Sequence, residues 1–250
     1  MISVCMATCN GERYLRAQLD SVLVQLDDGD ELVIADDCST DGTLALIEDY
    51  SDPRIRLLPS KLRLGVVANF ERALCAAQGE YVFLCDQDDV WLPNKRAVFI
   101  EALANADLVV SDCRLTDADL NDLAPSFFLF RNSGPGLLHN LLRNSFLGCC
   151  MAFRRSLLEQ ALPFPVKLPM HDTWLGLVAS ATGNVRFISE VTLLYRRHGS
   201  NASPTGERSH FSRFSQLSHR LRFAFALLIR IFSLRIRPNG YKKRAKGNSL

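Results

Sequence analysis

The sequence predicts an α/β fold in which helices flank a mainly parallel sheet and an amphipathic helical tail follows. Short apolar runs alternate with segments of helical period along the first half of the chain. The runs are continuously apolar, which is typical of strands covered on both faces of a sheet. Polar clusters follow three of these runs, and in such sheets ligands bind beyond the carboxyl ends of the strands.

The first half of the chain supplies most of these elements. Residues 2–7 are apolar and end at the Asn10-Gly11 turn, and from Glu12 leucine and valine recur at helical spacing. Further strands are predicted over 31–35, 54–58, 81–85 and 107–111, and further helices over 39–50, 66–77 and 93–105. Ser39 suits the cap of the second helix, and Pro93 suits the first turn of the fourth.

The second half is less regular. It predicts a helix over 137–143, a strand over 146–154 that carries Gly148, a helix over 175–181 and short strands over 185–188 and 191–195. These patterns divide the chain into a first half over 1–112, a second half over 113–207 and a tail over 208–250.

Charge is distributed unevenly between the body and the tail. The 250 residues contain 29 Lys+Arg and 27 Asp+Glu, a net charge of +2, but residues 208–250 hold eleven Lys+Arg and no acidic residue. Residues 1–207 therefore carry 18 basic against 27 acidic side chains, a net charge of −9. A hydrophobic content of 48% supports one substantial core and excludes a disordered chain or a disulfide miniprotein.

The cysteines and the first residues bear on the compartment. Eight cysteines lie mostly in apolar runs without C-x-x-C pairs, so we expect reduced thiols and neither a zinc site nor a disulfide framework. The first residues lack the basic region of a signal peptide, and no apolar run is long enough to span a bilayer. We therefore expect a cytoplasmic protein that does not itself cross the membrane.

Three polar clusters follow predicted strands: Thr8 with Asn10, residues 36–39 (DDCS) and residues 86–89 (DQDD). We expect them to converge on one crevice. The carboxylates over 86–89 repel one another unless a cation or basic group compensates them, and their oxygens suit Mg²⁺ or Mn²⁺ shared with a diphosphate. A solvated acidic turn is the alternative for this cluster, and a helix cap is the alternative for residues 36–39.

Two later motifs are ambiguous by themselves. His171-Asp172 follows a proline-rich loop and precedes a helix, where Asp172 acts either as a helix cap or as a base beside an imidazole. His198 lies in a polar loop, where it either completes a metal or phosphate site or is simply exposed.

Taken together, these motifs resemble those of a known enzyme family. The matching blocks are MATCNGERYL from Met6, DDCSTDGT from Asp36, DQDDVW from Asp86, HDTW from His171 and RH at 197–198. In order and spacing they resemble family 2 glycosyltransferases, and most of all the bacterial rhamnosyltransferase-like branch, over roughly residues 1–201. The first three blocks are jointly specific, whereas the last two gain weight from their position.

The resemblance implies a GT-A fold, which is Rossmann-like, with a nucleotide-sugar half over 1–112 and an acceptor half over 113–207. It implies the following site residues: Thr8, Asn10, Asp36, Asp37, Ser39 and Asp86 for the nucleotide sugar, Asp88 and His198 for the metal, Asp172 for the catalytic base, and Gly148, His171 and Trp174 for the acceptor side. The cofactor is expected to be Mg²⁺ or Mn²⁺.

The implied reaction is an inverting, metal-dependent transfer from a dTDP- or UDP-sugar, plausibly of rhamnose, to a lipid-linked or surface-polysaccharide acceptor. A catalytically degenerate member that binds glycan or acts as a scaffold is the alternative. A nucleotidyltransferase is disfavoured because residues 10–13 (NGER) make a poor phosphate loop.

Two positions depart from the family pattern. Cys9 replaces a tyrosine that can stack on the base, and Cys38 replaces a glycine, which disfavours a positive φ there. These departures put nucleotide preference in question and are the best support for the degenerate alternative, but they remove neither a metal ligand nor the base.

The tail is predicted to be an interfacial helix. Residues 217–237 form a polar stripe and a broad apolar face, the latter made of Leu221, Phe225, Leu228, Ile231 and Phe232. Lys242, Lys243, Arg244 and Lys246 add attraction to anionic lipid, which predicts peripheral contact with the inner face of the cytoplasmic membrane. A helix docked on the catalytic domain is the alternative, and nucleic acid is not expected because no base-reading motif is present.

Overall fold

The computed structural model describes residues 1–199, 201 and 213–236, with the side chains of the last helix from residue 218 onward. These residues form the strands β1 (Ile2–Thr8), β2 (Glu31–Asp36), β3 (Ile55–Pro59), β4 (Tyr81–Cys85), β5 (Val90–Trp91), β6 (Leu108–Thr116), β7 (Asp122–Ala124), β8 (Met151–Arg154) and β9 (Val185–Arg196). The helices are α1 (Glu12–Leu23), α2 (Thr43–Asp49), α3 (Val66–Ala76), α4 (Lys95–Leu103), α5 (Phe127–Arg131), α6 (Leu137–Leu142), α7 (Ser156–Ala161), α8 (His171–Thr182) and α9 (Arg213–Ile236).

The strands form one mixed sheet in the order β3-β2-β1-β4-β8-β6-β9-β5, with β7 paired to β6. β3, β2, β1 and β4 are parallel to one another, and β6 is parallel to β9. β8 lies between β4 and β6 and is antiparallel to both. The predicted α/β class is confirmed. The four neighbouring parallel strands β3, β2, β1 and β4, which we call the parallel part, come from the first half of the chain.

The parallel part is covered on both faces, which explains its continuously apolar strands. Every residue of β2 is buried, α1 turns Leu15, Leu19 and Val22 into the core, and α3 packs Phe70 and Leu74 against β1 and β2. Because parallel neighbours end at the same edge of a sheet, the polar clusters that follow β1, β2 and β4 meet there.

Two expectations for local structure differ from what is observed. α2 begins at Thr43 after Gly42, not at Ser39, because the Ser39 hydroxyl donates to Asp36 at 2.6 Å and is therefore not a helix cap. Gly148 lies in a 3₁₀ turn, Gly148–Cys150, that precedes β8, so it is not part of a strand.

Two expectations for the second half also change. The fifth predicted strand continues to Thr116, so the expected boundary between residues 112 and 113 falls inside β6. The two short strands expected over 185–195 form the single strand β9, whose register against β6 shifts near Asp112. Long pairing between β6 and β9 thus joins the two predicted halves.

α9 packs against α6, α7 and α8. It buries Phe223 and Leu227, and the Arg230 guanidinium donates to the carbonyl oxygens of Gln160 at 3.1 Å and Leu162 at 2.7 Å. Arg230 of the predicted polar stripe therefore faces the domain, as the docked-helix alternative expects. The basic residues 242–246 lie outside the described residues. Among the helices described, none combines the length and apolarity needed to traverse a membrane.

Candidate active site

A cavity of about 380 Å³ opens at the edge of the sheet where β1, β2 and β4 end. The predicted site residues that line it are Thr8, Asp37, Asp86, Asp88, Gly148, His171 and Asp172. Residues of all three polar clusters thus meet residues of the second half in one cavity, and the expected convergence is confirmed. Asn10, Asp36 and Ser39 are not among the lining residues, but their hydrogen bonds fix the loops that form the wall. His198 does not line the cavity either, and it contacts the lining residue Asp88.

Asp36 is a structural carboxylate beneath the nucleotide side of the cavity. It is fully buried, and it accepts hydrogen bonds from the Thr8 hydroxyl at 2.9 Å and from the backbone N–H of Ser39 at 2.9 Å. The Ser39 hydroxyl in turn accepts from the backbone N–H of Asn10 at 2.9 Å. These bonds fix the loop after β1 against the loop after β2.

Asp37 holds a third loop over the same edge. Its two carboxylate oxygens accept from the backbone N–H groups of Leu64 at 2.6 Å and Gly65 at 2.9 Å. Cys38 follows with φ of 58°, so the position keeps a positive φ although a cysteine disfavours it. This left-handed conformation costs energy in a residue that carries a side chain. The turn that it forms directs the Asp37 carboxylate to this loop.

Gln87 joins the first and third clusters, a role that its position between two aspartates did not reveal. Its Oε1 accepts from the backbone N–H of Cys9 at 2.8 Å, and its Nε2 donates to the Cys9 carbonyl at 3.2 Å. A Cβ at Gly11 would lie 2.3 Å from the same Oε1, so a larger residue there would displace the Gln87 amide from Cys9. The Cys9 thiol contacts the Arg63 guanidinium at 2.6 Å.

Asp88 forms the centre of a candidate cation site. Its Oδ2 lies 2.9 Å from Nε2 of His198 and 3.3 Å from Nδ2 of Asn201. The His198 ring is also held by Tyr14, with ring centroids 4.6 Å apart. A carboxylate and an imidazole that contact each other at the edge of an open cavity could both bind one divalent cation. Such a cation would keep coordination positions free for other ligands. Asn201 was missed, although it lies three residues after His198.

A second acidic group lies deeper. One ligand atom each from Asp86, Asp89 and Cys149 falls within 4.8 Å of the others. A thiol does not suit Mg²⁺ or Mn²⁺, and Asp89 already accepts from the backbone N–H of Arg196 at 2.9 Å. This buried group therefore fits the predicted cation less well than Asp88 with His198.

The electrostatics of the cavity favour a cation. Among the described residues that line it are four aspartates, one histidine and no lysine or arginine. Burial, together with repulsion by Asp88 and Asp172, raises the pKa of Asp86 to about 8. Lys95 is fully buried behind the cavity, where its ammonium donates to the Cys149 carbonyl at 2.5 Å. Because Lys95 stands between Asn94 and Arg96 in the sequence, its neighbours did not indicate that it is buried.

Asp172 lies in the first turn of α8 on the opposite wall. Its carboxylate accepts from the Gly148 N–H at 3.2 Å and from the Thr173 hydroxyl at 3.2 Å. Burial raises its pKa to about 6, although these hydrogen bonds oppose the shift. A carboxylate of this pKa is ionised at neutral pH and accepts a proton more readily than an ordinary aspartate.

The three acceptor-side residues differ in their surroundings. Gly148 lies directly against Asp172, since an added Cβ would be 3.4 Å from the Asp172 Cβ. His171 lines the cavity, stacks on Phe70 with centroids 3.9 Å apart, and has its pKa lowered to about 3 by burial. Trp174 does not reach the cavity, because it is fully buried and its indole N–H donates to the Ala161 carbonyl at 3.0 Å.

The arrangement can therefore perform one kind of chemistry well. A cation-binding carboxylate and a partly basic carboxylate face each other across a cavity that is large enough for a substrate. Through a bound cation, the first could hold an anionic leaving group, and the second could take a proton from a hydroxyl nucleophile.

Comparison with known sequences agrees with this chemistry. The family described as "Glycosyl transferase family 2" matches residues 3–162. An uncharacterized glycosyltransferase of Nostoc sp. is 31% identical over 83% of this chain and 69% of its own length. The dTDP-rhamnosyl transferase RfbG of Shigella flexneri is 29% identical over 78% of this chain and 72% of its own. The chain spans 59% of the mycobacterial relatives that it also matches.

A third relative has a named acceptor. The UDP-Glc:alpha-D-GlcNAc-diphosphoundecaprenol beta-1,3-glucosyltransferase WfgD of Escherichia coli is 26% identical over 71% of this chain and 70% of its own length.

Two solved structures share the fold. TarS of S. aureus in complex with UDP-GlcNAc superposes with a TM-score of 0.67 at 20% identity, over 93% of this chain and 72% of that one. The mannosyltransferase PcManGT of Pyrobaculum calidifontis, in complex with GDP-Man and Mn²⁺, gives a TM-score of 0.61 at 20% identity, over 100% of this chain and 76% of that one.

Proposed function

The chain belongs to family 2 of the glycosyltransferases, and on that premise we propose that it moves a sugar from a nucleoside-diphosphate donor to an acceptor hydroxyl with inversion at the anomeric carbon. The observation that carries this proposal is one cavity that Asp88, paired with His198, shares with the raised-pKa carboxylate of Asp172.

The donor occupies the side of the cavity formed by the ends of β1, β2 and β4. Thr8 and Asp37 line this side, and Asn10, Asp36 and Ser39 fix its loops. Asp88 and His198 hold Mg²⁺ or Mn²⁺ there, and the bound ion supplies a positive charge that stabilises the departing diphosphate. Asp86 lines the same cavity as Asp88.

Asp172 is the general base. It takes the proton of the acceptor hydroxyl as that oxygen forms its bond to the anomeric carbon and the bond to the diphosphate oxygen breaks. Attack from the face opposite the leaving group inverts the configuration. The Gly148 N–H, 3.2 Å from the Asp172 carboxylate, keeps this base oriented toward the cavity.

The substrates are proposed at a finer level from the relatives. RfbG is named for dTDP-rhamnose, and WfgD is named for an acceptor on diphosphoundecaprenol. We therefore take a dTDP- or UDP-sugar, plausibly rhamnose, as the donor and a lipid-linked or surface-polysaccharide glycan as the acceptor. With such an acceptor, we propose that the protein acts in the cytoplasm, in peripheral contact with the inner face of the membrane.

Two measurements test the proposal. Release of nucleoside diphosphate from a panel of dTDP-, UDP- and GDP-sugars with Mn²⁺ should identify one preferred donor, and Asp88→Asn should abolish its turnover. Calorimetric binding of dTDP, UDP and GDP with and without Mn²⁺ separates an enzyme from a degenerate scaffold. If no nucleoside diphosphate binds in the presence of Mn²⁺, the proposal fails.

A further inference from the structure

Exposed apolar side chains are concentrated in two segments of the described chain. Ten of the sixteen large apolar residues that are exposed lie within 129–142 or 221–236. The second segment belongs to α9, and the first includes α6, which packs against α9. An exposed apolar area that spans two neighbouring elements is typical of an interaction surface.

α9 is apolar on two opposite sides. One side carries Phe223 and Leu227, which are buried against the domain. Since a helix turns by about 100° per residue, the exposed side chains fall within a single arc of about 100° on the other side. They are Leu221, Phe225, Leu228, Ile229, Phe232 and Ile236. Docking through the first side therefore leaves a second apolar side facing outward.

α6 extends this area with Leu138 and Leu142, which are 74% and 63% exposed. The two leucines are four residues apart and so share one side of their helix. We call the exposed apolar residues of α6 and α9 the α6–α9 surface.

Along the described parts of α6 and α9, and directly after α6, the charged side chains that border the α6–α9 surface are arginines. Arg222 and Arg235 border the apolar arc of α9 on its two sides, and both are exposed. Arg143 directly follows α6 and is also exposed. Neither residues 123–158 nor residues 208–236 contain an aspartate or glutamate, although the first 207 residues carry a net charge of −9.

From this juxtaposition we propose that the α6–α9 surface is the membrane-binding face of the protein and that its partner is an anionic bilayer. Apolar side chains enter the boundary of the acyl chains while the bordering arginines contact anionic headgroups. This assigns membrane contact to two docked helices, in contrast to a tail that acts by itself.

The surface also lies on the acceptor side of the site. α6 is followed after five residues by Gly148, and α6 and α9 both pack against α8, whose first turn carries Asp172. This inference rests on the proposed function where it concerns the acceptor: a glycan whose lipid remains in the bilayer would enter the cavity from this side. The bilayer contact itself does not depend on catalysis.

The test is flotation of the full chain with vesicles of phosphatidylcholine alone or mixed with phosphatidylglycerol. We expect binding to the mixed vesicles, and we expect Leu138→Glu and Phe225→Glu each to weaken it at least tenfold. Val24→Glu is the matched control, because Val24 is 81% exposed at the end of α1, away from this surface. It should bind as the parent does.

Each result decides between binding by this surface and another explanation. Unchanged binding by Leu138→Glu would overturn the inference, as would equal binding to both kinds of vesicle. A dimer in solution that Leu138→Glu dissociates would also overturn it, since a second copy would then cover the surface. Thermal unfolding checks that the variants fold. If a Glu variant loses flotation but keeps donor turnover, the result supports the α6–α9 surface as the membrane-binding face. If the parent chain floats with the mixed vesicles but shows no donor turnover, only the proposed function is refuted.

Discussion

Replacement of Asp172 tests the proposed base most directly. The carboxylate accepts hydrogen bonds from Gly148 and Thr173 and has a pKa of about 6 because of burial. Asp172→Asn keeps the size of the side chain but removes the basic oxygen. We expect the transfer rate to fall by about 10²–10⁴-fold, the usual contribution of a general base, while binding of the nucleoside diphosphate stays within a factor of about three, because it depends on the opposite wall.

The pKa also predicts the pH dependence of transfer. Only the ionised carboxylate can accept a proton, so the rate should fall as the pH drops below about 6, by about tenfold per pH unit. Initial rates of nucleoside diphosphate release between pH 5 and 8 measure this profile. A flat profile in the parent enzyme, or more than a tenth of the parent rate in Asp172→Asn at pH 7.5, would refute the assignment.

Stability should respond in the opposite direction to activity. Because the pKa of Asp172 is higher in the folded protein than its ordinary value of 3.8, burial disfavours the ionised form. The resulting loss of stability is absent below pH 3.8, develops up to about pH 6 and is complete above it. The difference corresponds to at most about 3 kcal/mol. Asp172→Asn should therefore unfold at higher denaturant concentration at pH 7.5, whereas Asp28→Asn, at an exposed position, should not.

Three further predictions concern other parts of the molecule. His198→Ala should raise the Mn²⁺ dissociation constant about 10–100-fold in calorimetry, because the imidazole lies 2.9 Å from Asp88; unchanged affinity would exclude it from the metal site. Cys38→Gly should stabilise the protein by about 1 kcal/mol in urea unfolding, because φ is 58° there. Arg230→Met should destabilise it by about 1–3 kcal/mol and speed amide exchange in α9, because the carbonyls of Gln160, Leu162 and Pro163 lose their donor; protection equal to the parent's would contradict this docking.

Local patterns predicted the parallel part of the fold well. β1 and α1 begin at the predicted residues, because a buried strand, a turn and an amphipathic helix are each recorded in a few neighbouring residues. The antiparallel insertion of β8 between β4 and β6 is not recorded in neighbouring residues. It depends on pairing with β4, about 70 residues away, and with β6, about 45 residues away. The 3₁₀ turn at Gly148 results from this non-local pairing.

Site residues were predictable where the motif itself forms the wall of the cavity. Asp37, Asp86 and Asp88 directly follow strands and line the cavity. Trp174 was expected on the acceptor side, but it does not line the cavity. Because α8 is buried on most of its sides, the position of Trp174 in a motif did not indicate which way its side chain points. Arg196 shows the same limit, as its backbone and side chain hold Asp89 and the Asp88 carbonyl from a strand that is more than 100 residues distant.

The charge of the cavity is the physical reason for proposing a cation in the reaction. A nucleoside diphosphate brings at least two negative charges into a site whose described lining has four aspartates and no basic side chain. Its one histidine cannot help, because burial lowers the pKa of His171 to about 3 and leaves the ring neutral. The Lys95 ammonium is directed to the Cys149 carbonyl and is fully buried. Repulsion between the carboxylates and the diphosphate would oppose donor binding. Repulsion by Asp88 and Asp172 adds to burial, the larger cause, in raising the pKa of Asp86. A divalent ion held by Asp88 and His198 would supply positive charge that offsets this repulsion, so chelation of the metal should abolish donor binding and not only turnover.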